Sequence, residues 1–107
     1  MTAPKMFVRI WQFQARADKA AEFRAAYGSS GAWAALFRRG TGYLGTECLE
    51  STANPAICLT VDRWESAEAW DAFLREWSDD YAALDRTCED LTVAEEEIGA
   101  FQRVISQ

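Results

Sequence analysis

The sequence predicts an α+β domain of the ferredoxin-like, split βαβ kind, an antiparallel sheet with its helices on one face. Three observations predict it. Four runs rich in β-branched and aromatic residues are bounded by turn residues. Two longer segments place apolar residues at steps of three and four. These fall in the order strand, helix, strand, strand, helix, strand. The 107 residues are 50% hydrophobic. That suits one domain over 1–107, because two domains of about 50 residues each would sit near the limit for independent cores.

The first strand is read over Phe7 to Gln14, FVRIWQFQ. Arg9, Trp11 and Phe13 alternate with Val8, Ile10 and Gln12, and both sets carry bulk, so neither face is bathed in water. Which set faces the helices stays open, because a one-residue slip of register exchanges them. Asp18 is placed to cap a helix from Lys19, along which Ala20, Phe23, Ala26 and Tyr27 recur. Gly28-Ser29-Ser30-Gly31 interrupts it. A second short helix, Ala32 to Phe37, carries Trp33, Leu36 and Phe37, and ends in Arg38 and Arg39, where positive charge suits the helix dipole.

Tyr43 to Glu50 and Ala56 to Trp64 read as a hairpin about the turn Ser51-Thr52-Ala53-Asn54-Pro55. Ser66 then caps the strongest periodic segment in the chain. Trp70, Phe73, Leu74, Trp77, Tyr81, Leu84, Cys88 and Leu91 predict a long amphipathic helix from about Ala67 to Leu91, bent near Ser78 to Asp80. The stripe Trp70, Phe73, Trp77 and Tyr81 is read as core. Thr92-Val93-Ala94-Glu95 has the capping-box pattern and predicts a short turn with Glu95-Glu96-Glu97 solvated, closed by Gly99. Phe101 to Ile105 is the last strand.

Charge and composition narrow the function. Eleven basic against seventeen acidic residues give a net charge of −6. That argues against nucleic acid and against anionic membrane surfaces as partners. No apolar run approaches the roughly 18 residues that span a bilayer. Met1 to Lys5 carry no apolar signal core, so the expectation is a cytoplasmic protein. Cys48, Cys58 and Cys88 read as free thiols, with Cys48 and Cys58 near each other across the hairpin. There is no histidine. Histidine-based triads, histidine metal sites and histidine-ligated haem are thereby removed. With no flavin or nicotinamide motif either, the expectation is no metal and no cofactor.

Five residues stand out as candidates for small-molecule binding. Trp11 either lines a cavity or packs in the core or an interface. Tyr27 and Trp33 flank the glycine-bounded break, where a pocket mouth can form, and Tyr27 can donate to a phenol or quinone oxygen. Arg38 either attracts an anionic substrate oxygen or is a solvated helix end. Asp62 is an acid among apolar strand residues. It is either paired with Arg63 or buried in a cavity, where desolvation raises its pKa and makes it a base. The sheet face turned away from the helices is apolar, and a second copy of the chain is the partner expected there.

The runs Ala26-Tyr27-Gly28…Gly31-Ala32-Trp33-Ala34…Leu36-Phe37-Arg38, Gly42-Tyr43-Leu44-Gly45-Thr46-Glu47 and Leu59-Thr60-Val61-Asp62-Arg63-Trp64-Glu65-Ser66 resemble the antibiotic biosynthesis monooxygenase family, in its small stand-alone bacterial branch. The resemblance spans about Phe7 to Phe101. It implies a dimeric α/β barrel with a small-molecule cavity between sheet and helices, and either oxidation of anthrones and quinols without metal or flavin, or haem degradation. The haem-degrading branch uses a histidine and a first-strand asparagine, and this chain has neither. In the family a tryptophan in a Trp-x-Ser context follows the third strand and faces the cavity. Here it is Trp64, which with Tyr27 is the candidate for a catalytic role. The function expected is a cofactor-independent monooxygenase acting on a small aromatic, phenolic or quinol-type compound. The alternative is a non-catalytic dimeric module that binds a small hydrophobic molecule or serves as a stress-related accessory protein.

Overall fold

A computed structural model describes residues 6–104. Its elements run β1 (Phe7–Ala15), α1 (Ala20–Tyr27), α2 (Ala32–Phe37), β2 (Tyr43–Glu50), β3 (Ile57–Trp64), α3 (Ala67–Cys88) and β4 (Thr92–Gln102). The four strands form one antiparallel sheet in the order β2-β3-β1-β4. This is the α+β, ferredoxin-like arrangement, with the first helical segment broken in two. Met1 to Lys5 and Ile105 lie outside the described residues. No described helix is long and apolar enough to cross a membrane.

Register fixes the two faces. Arg9, Trp11 and Phe13 of β1 stand opposite Asp62, Thr60 and Cys58 of β3. These residues share the side covered by the helices, because paired residues of an antiparallel ladder project together. Phe13 packs with Phe23 and Tyr27 of α1. Val8, Ile10 and Gln12 lie on the opposite face with Val61 and Leu59. The core is built largely of rings: Phe37, Trp64, Trp70 and Phe73 pack edge-on or tilted against one another, with Trp70 and Phe73 stacked. Such contacts add to plain apolar burial.

Three local expectations are corrected. Asp18 does not cap α1. It lies inside a short 3-10 turn, Ala17–Lys19, and its carboxylate takes the Arg16 guanidinium at 3.3 Å. The long helix ends at Cys88 and breaks at Trp77, where φ −116° and ψ 25° leave the helical region. The largest change is at the C-terminal end. Thr92 to Glu97 form no capped turn but the first half of β4, paired along β1 from Ala15↔Thr92 to Phe7↔Gln102. The free edge of β1 supplies a row of backbone donors and acceptors, and pairing them outweighs a local capping motif. Glu95 and Glu97 therefore project to the helix side, opposite Phe13 and Trp11. The extra residue Ile98 is absorbed as a bulge beside Gly99.

Candidate functional site

A cavity of about 120 Å³ lies between the sheet and the helices. Trp11 and Phe13 form its floor. Tyr27 of α1, Trp33 and Phe37 of α2, and Tyr81 of α3 form its walls. Trp33 meets Tyr81 edge-on at 5.0 Å between ring centres and lies 6.1 Å from Tyr27. The polar groups are Arg9, Thr46, Thr60 and Asp62, with Asp85 and Glu95. Asp85 and Glu95 are exposed, so they mark the mouth. The volume is close to the ~150 Å³ that admits one benzene ring, and below the roughly 300–1,000 Å³ of pockets that enclose drug-sized ligands. One aromatic ring fits inside, and a larger molecule must extend through the mouth.

Asp62 is an acidic group on the lining of this cavity, set on β3. Burial raises its carboxyl above the ordinary value of 3.8, while a hydrogen bond from Thr46 and the charge of Arg9 pull it back down. Thr46 Oγ1 donates to Asp62 Oδ1 at 2.7 Å. Oδ2 accepts no hydrogen bond from the described residues, yet it is not sealed off. The carboxylate thus has one tethered oxygen and one free for a ligand.

Arg9 stands directly across the ladder from Asp62. Its guanidinium lies 4.3 Å over the Trp70 ring and pairs with Glu97 at 2.7 Å. Stacking and pairing hold the cation in place with its side chain only 15% exposed. Tyr27 and Tyr81 are pushed by burial above the usual phenol range, so both stay protonated as donors at neutral pH.

The structure brings Trp11, Tyr27, Trp33 and Asp62 together around the cavity. It leaves Trp64 and Arg38 off its lining. Trp64 is fully buried behind the wall, boxed by Phe37, Tyr43, Trp70 and Phe73, with no partner for its indole N–H among the described residues. Arg38 is exposed and donates to the Ser29 carbonyl at 3.2 Å. Asp62 is not bound to Arg63. Arg63 faces the other side of the sheet and pairs with Glu47 at 2.6 Å. Cys48, Cys58 and Cys88 are free thiols. Burial raises the pKa of Cys48 to about 11, so its thiol stays protonated at neutral pH.

Sequence reasoning missed Arg9, Thr46, Tyr81 and Glu95. Arg9 had a signal, a cation alternating with aromatics on a strand. Tyr81 falls on the helical stripe that reads as core. Glu95 lies in the run whose local pattern is that of a capped turn. Thr46 needed the pairing register.

A scan of known families matches residues 6–85 to the model for antibiotic biosynthesis monooxygenase. Solved structures share the fold. A variant of SnoaB, a cofactor-independent oxygenase from Streptomyces nogalater, is 18% identical with a TM-score of 0.76, over 94% of this chain and 95% of that one. A conserved protein from Methanosarcina mazei Go1 is 14% identical with a TM-score of 0.69, over 92% and 93%. PA3566 from Pseudomonas aeruginosa is 13% identical with a TM-score of 0.64, over the full length of both. None of the curated proteins matches the sequence.

Proposed function

The chain belongs to the antibiotic biosynthesis monooxygenase family, and from that premise we propose that it is a cofactor-independent monooxygenase of a small phenolic, anthrone- or quinol-type compound. The observation that supports this most is the pairing of a half-buried, partly desolvated carboxylate, Asp62, with an aromatic cavity of one-ring size. An aspartate with a raised pKa is a better base than an exposed one, and it works from a partly desolvated site.

In this reading the substrate ring sits between Trp11, Trp33 and Phe37. The free oxygen of Asp62 removes a proton from an acidic methylene or hydroxyl. Arg9 and the phenols of Tyr27 and Tyr81 stabilise the resulting oxyanion. The anion is electron-rich enough to reduce molecular oxygen itself. For a methylene substrate the change balances as CH2 plus O2 giving C=O plus water. The carbon supplies four electrons, one oxygen atom enters the carbonyl, and the other leaves as water with both protons.

Trp64 acts in this reading through the wall it supports. The open sheet face takes a second copy of the chain, since Leu49 and Phe101 are exposed there beside Leu59, Val61 and Ile10.

The test is oxygen uptake with an anthrone and with a substituted hydroquinone, with isotopically labelled oxygen traced into the product. Enzyme-dependent uptake and one labelled atom per product support the reading. Saturable tryptophan quenching with no uptake makes the protein a binding module instead.

A further inference from the structure

We propose that Thr46 and Tyr43 are positioning residues for the Asp62 carboxylate, a two-hydroxyl chain that holds one oxygen back and keeps the other turned to the cavity. This rests on the reading of Asp62 as the base and adds the groups that make it one. Thr46 Oγ1 donates to Asp62 Oδ1 at 2.7 Å, and Tyr43 Oη lies 2.6 Å from Thr46 Oγ1. A hydroxyl has a single proton. Thr46 gives its proton to the carboxylate, so Tyr43 is the donor to Thr46. The direction is Tyr43 to Thr46 to Asp62, and each bond polarises the next.

The backbone is built to make this chain. Tyr43 and Thr46 are three residues apart, and in a regular strand they would point to opposite faces. The ladder slips between Tyr43 and Gly45, so that Tyr43 pairs with Trp64, Gly45 with Arg63 and Thr46 with Asp62. The extra residue is Leu44, which points out and is 52% exposed. Gly45 adopts φ +140°, a backbone state that side chains disfavour. The bulge places the tyrosine on the same face as the threonine. Tyr43 is then clamped between Phe37 and Trp64, with ring centres at 5.7 and 5.2 Å. Thr46 is buried, and valine has nearly its shape but lacks the hydroxyl. The hydroxyl is the part that the aspartate uses.

The charged and titratable groups around Asp62 are few. Arg9 faces it from β1, Glu95 and Glu97 stand beyond Arg9 on β4, Tyr27 comes from α1, and Tyr81 and Asp85 come from α3. Arg38 acts on Tyr43 from the end of α2. Among the described residues, only Thr46 hydrogen-bonds the carboxylate.

The test is carbon-13 NMR of the aspartate carboxyls across a pH titration of the whole protein, with the Asp62 resonance assigned by its loss in Asp62→Asn. Thr46→Val is expected to raise the Asp62 midpoint by about one pH unit. Tyr43→Phe is expected to raise it by roughly a few tenths, and Thr46→Ser to leave it near the wild type. An unmoved midpoint in Thr46→Val overturns the proposal, as does an equal rise in Thr46→Ser. If Thr46→Val does not fold, Tyr43→Phe decides alone, and an unmoved midpoint there overturns the chain. The readout needs no turnover. A protein that consumes no oxygen but shows these shifts loses its proposed reaction and keeps this inference.

Discussion

A carboxylate on the covered face of a central strand is costly to ionise, and Asp62 carries that cost for the whole molecule. Its folded carboxyl keeps a proton to higher pH than the ordinary 3.8. The stability it contributes is therefore full below that value and falls as pH rises through the folded midpoint. Asp62→Asn keeps an acceptor for Thr46 and removes the charge. At neutral pH this variant is expected to unfold later than wild type by about 0.5–2 kcal/mol, with the gap closing below about pH 4, as read by denaturant melts across pH. It is also expected to lose turnover. Gain of stability with loss of activity is the pattern of a strained functional group rather than a structural one. Trp64 is expected to behave in the opposite way. Trp64→Phe leaves space among Phe37, Trp70 and Phe73 and should cost about 1–3 kcal/mol, while ligand affinity measured by fluorescence quenching changes less than twofold.

At the scale of elements, two of the sheet's three register slips and one helix break do the positioning. The slip at Leu44 aims Tyr43 inward, the slip at Ile98 turns the remainder of β4, and the break at Trp77 divides α3 before Tyr81. Arg39 secures that break by stacking over Trp77 at 5.1 Å and pairing with Asp80 at 2.6 Å. Gly45→Ala has room for its methyl group but not a comfortable backbone. It is expected to cost about 1–2 kcal/mol in thermal or denaturant melts and to release Tyr43 from Thr46, seen as a change in the tyrosine near-ultraviolet circular dichroism. These same features mark the limit of what a sequence discloses. Helix periodicity exposed α3 and the broken α1–α2 pair, because apolar spacing is a property of the segment itself. The hairpin was legible from its turn residues. Bulges are properties of a pair of strands, so the placing of Thr46 and Tyr43 had no local sign. The run Thr92 to Glu97 misled for a related reason. Its local pattern favours a cap, and only the unpaired edge of β1 makes it a strand.

For the whole molecule, charge and shape act together. The net charge is −6, and the cavity mouth carries Asp85 and Glu95. Field lines from such a rim repel anions and leave neutral molecules alone. A carboxylate-bearing hydroquinone is therefore expected to bind more weakly than its neutral methyl ester. The double variant Asp85→Asn with Glu95→Gln should narrow that difference by about three- to tenfold at low salt, and by less at high salt, in quenching titrations. The open sheet face makes a second whole-molecule prediction. Sedimentation at micromolar concentration is expected to show a dimer, and Leu59→Glu, in the middle of that face, is expected to give a folded monomer. In the proposed reaction Asp62 takes a proton from a neutral aromatic substrate held in the cavity. Oxygen uptake with an anthrone, compared between wild type and Asp62→Asn at neutral pH, tests it most directly. The variant is expected to bind the compound and to consume oxygen at least about a hundredfold more slowly, the scale of losing a general base. Equal uptake by the two proteins would contradict it.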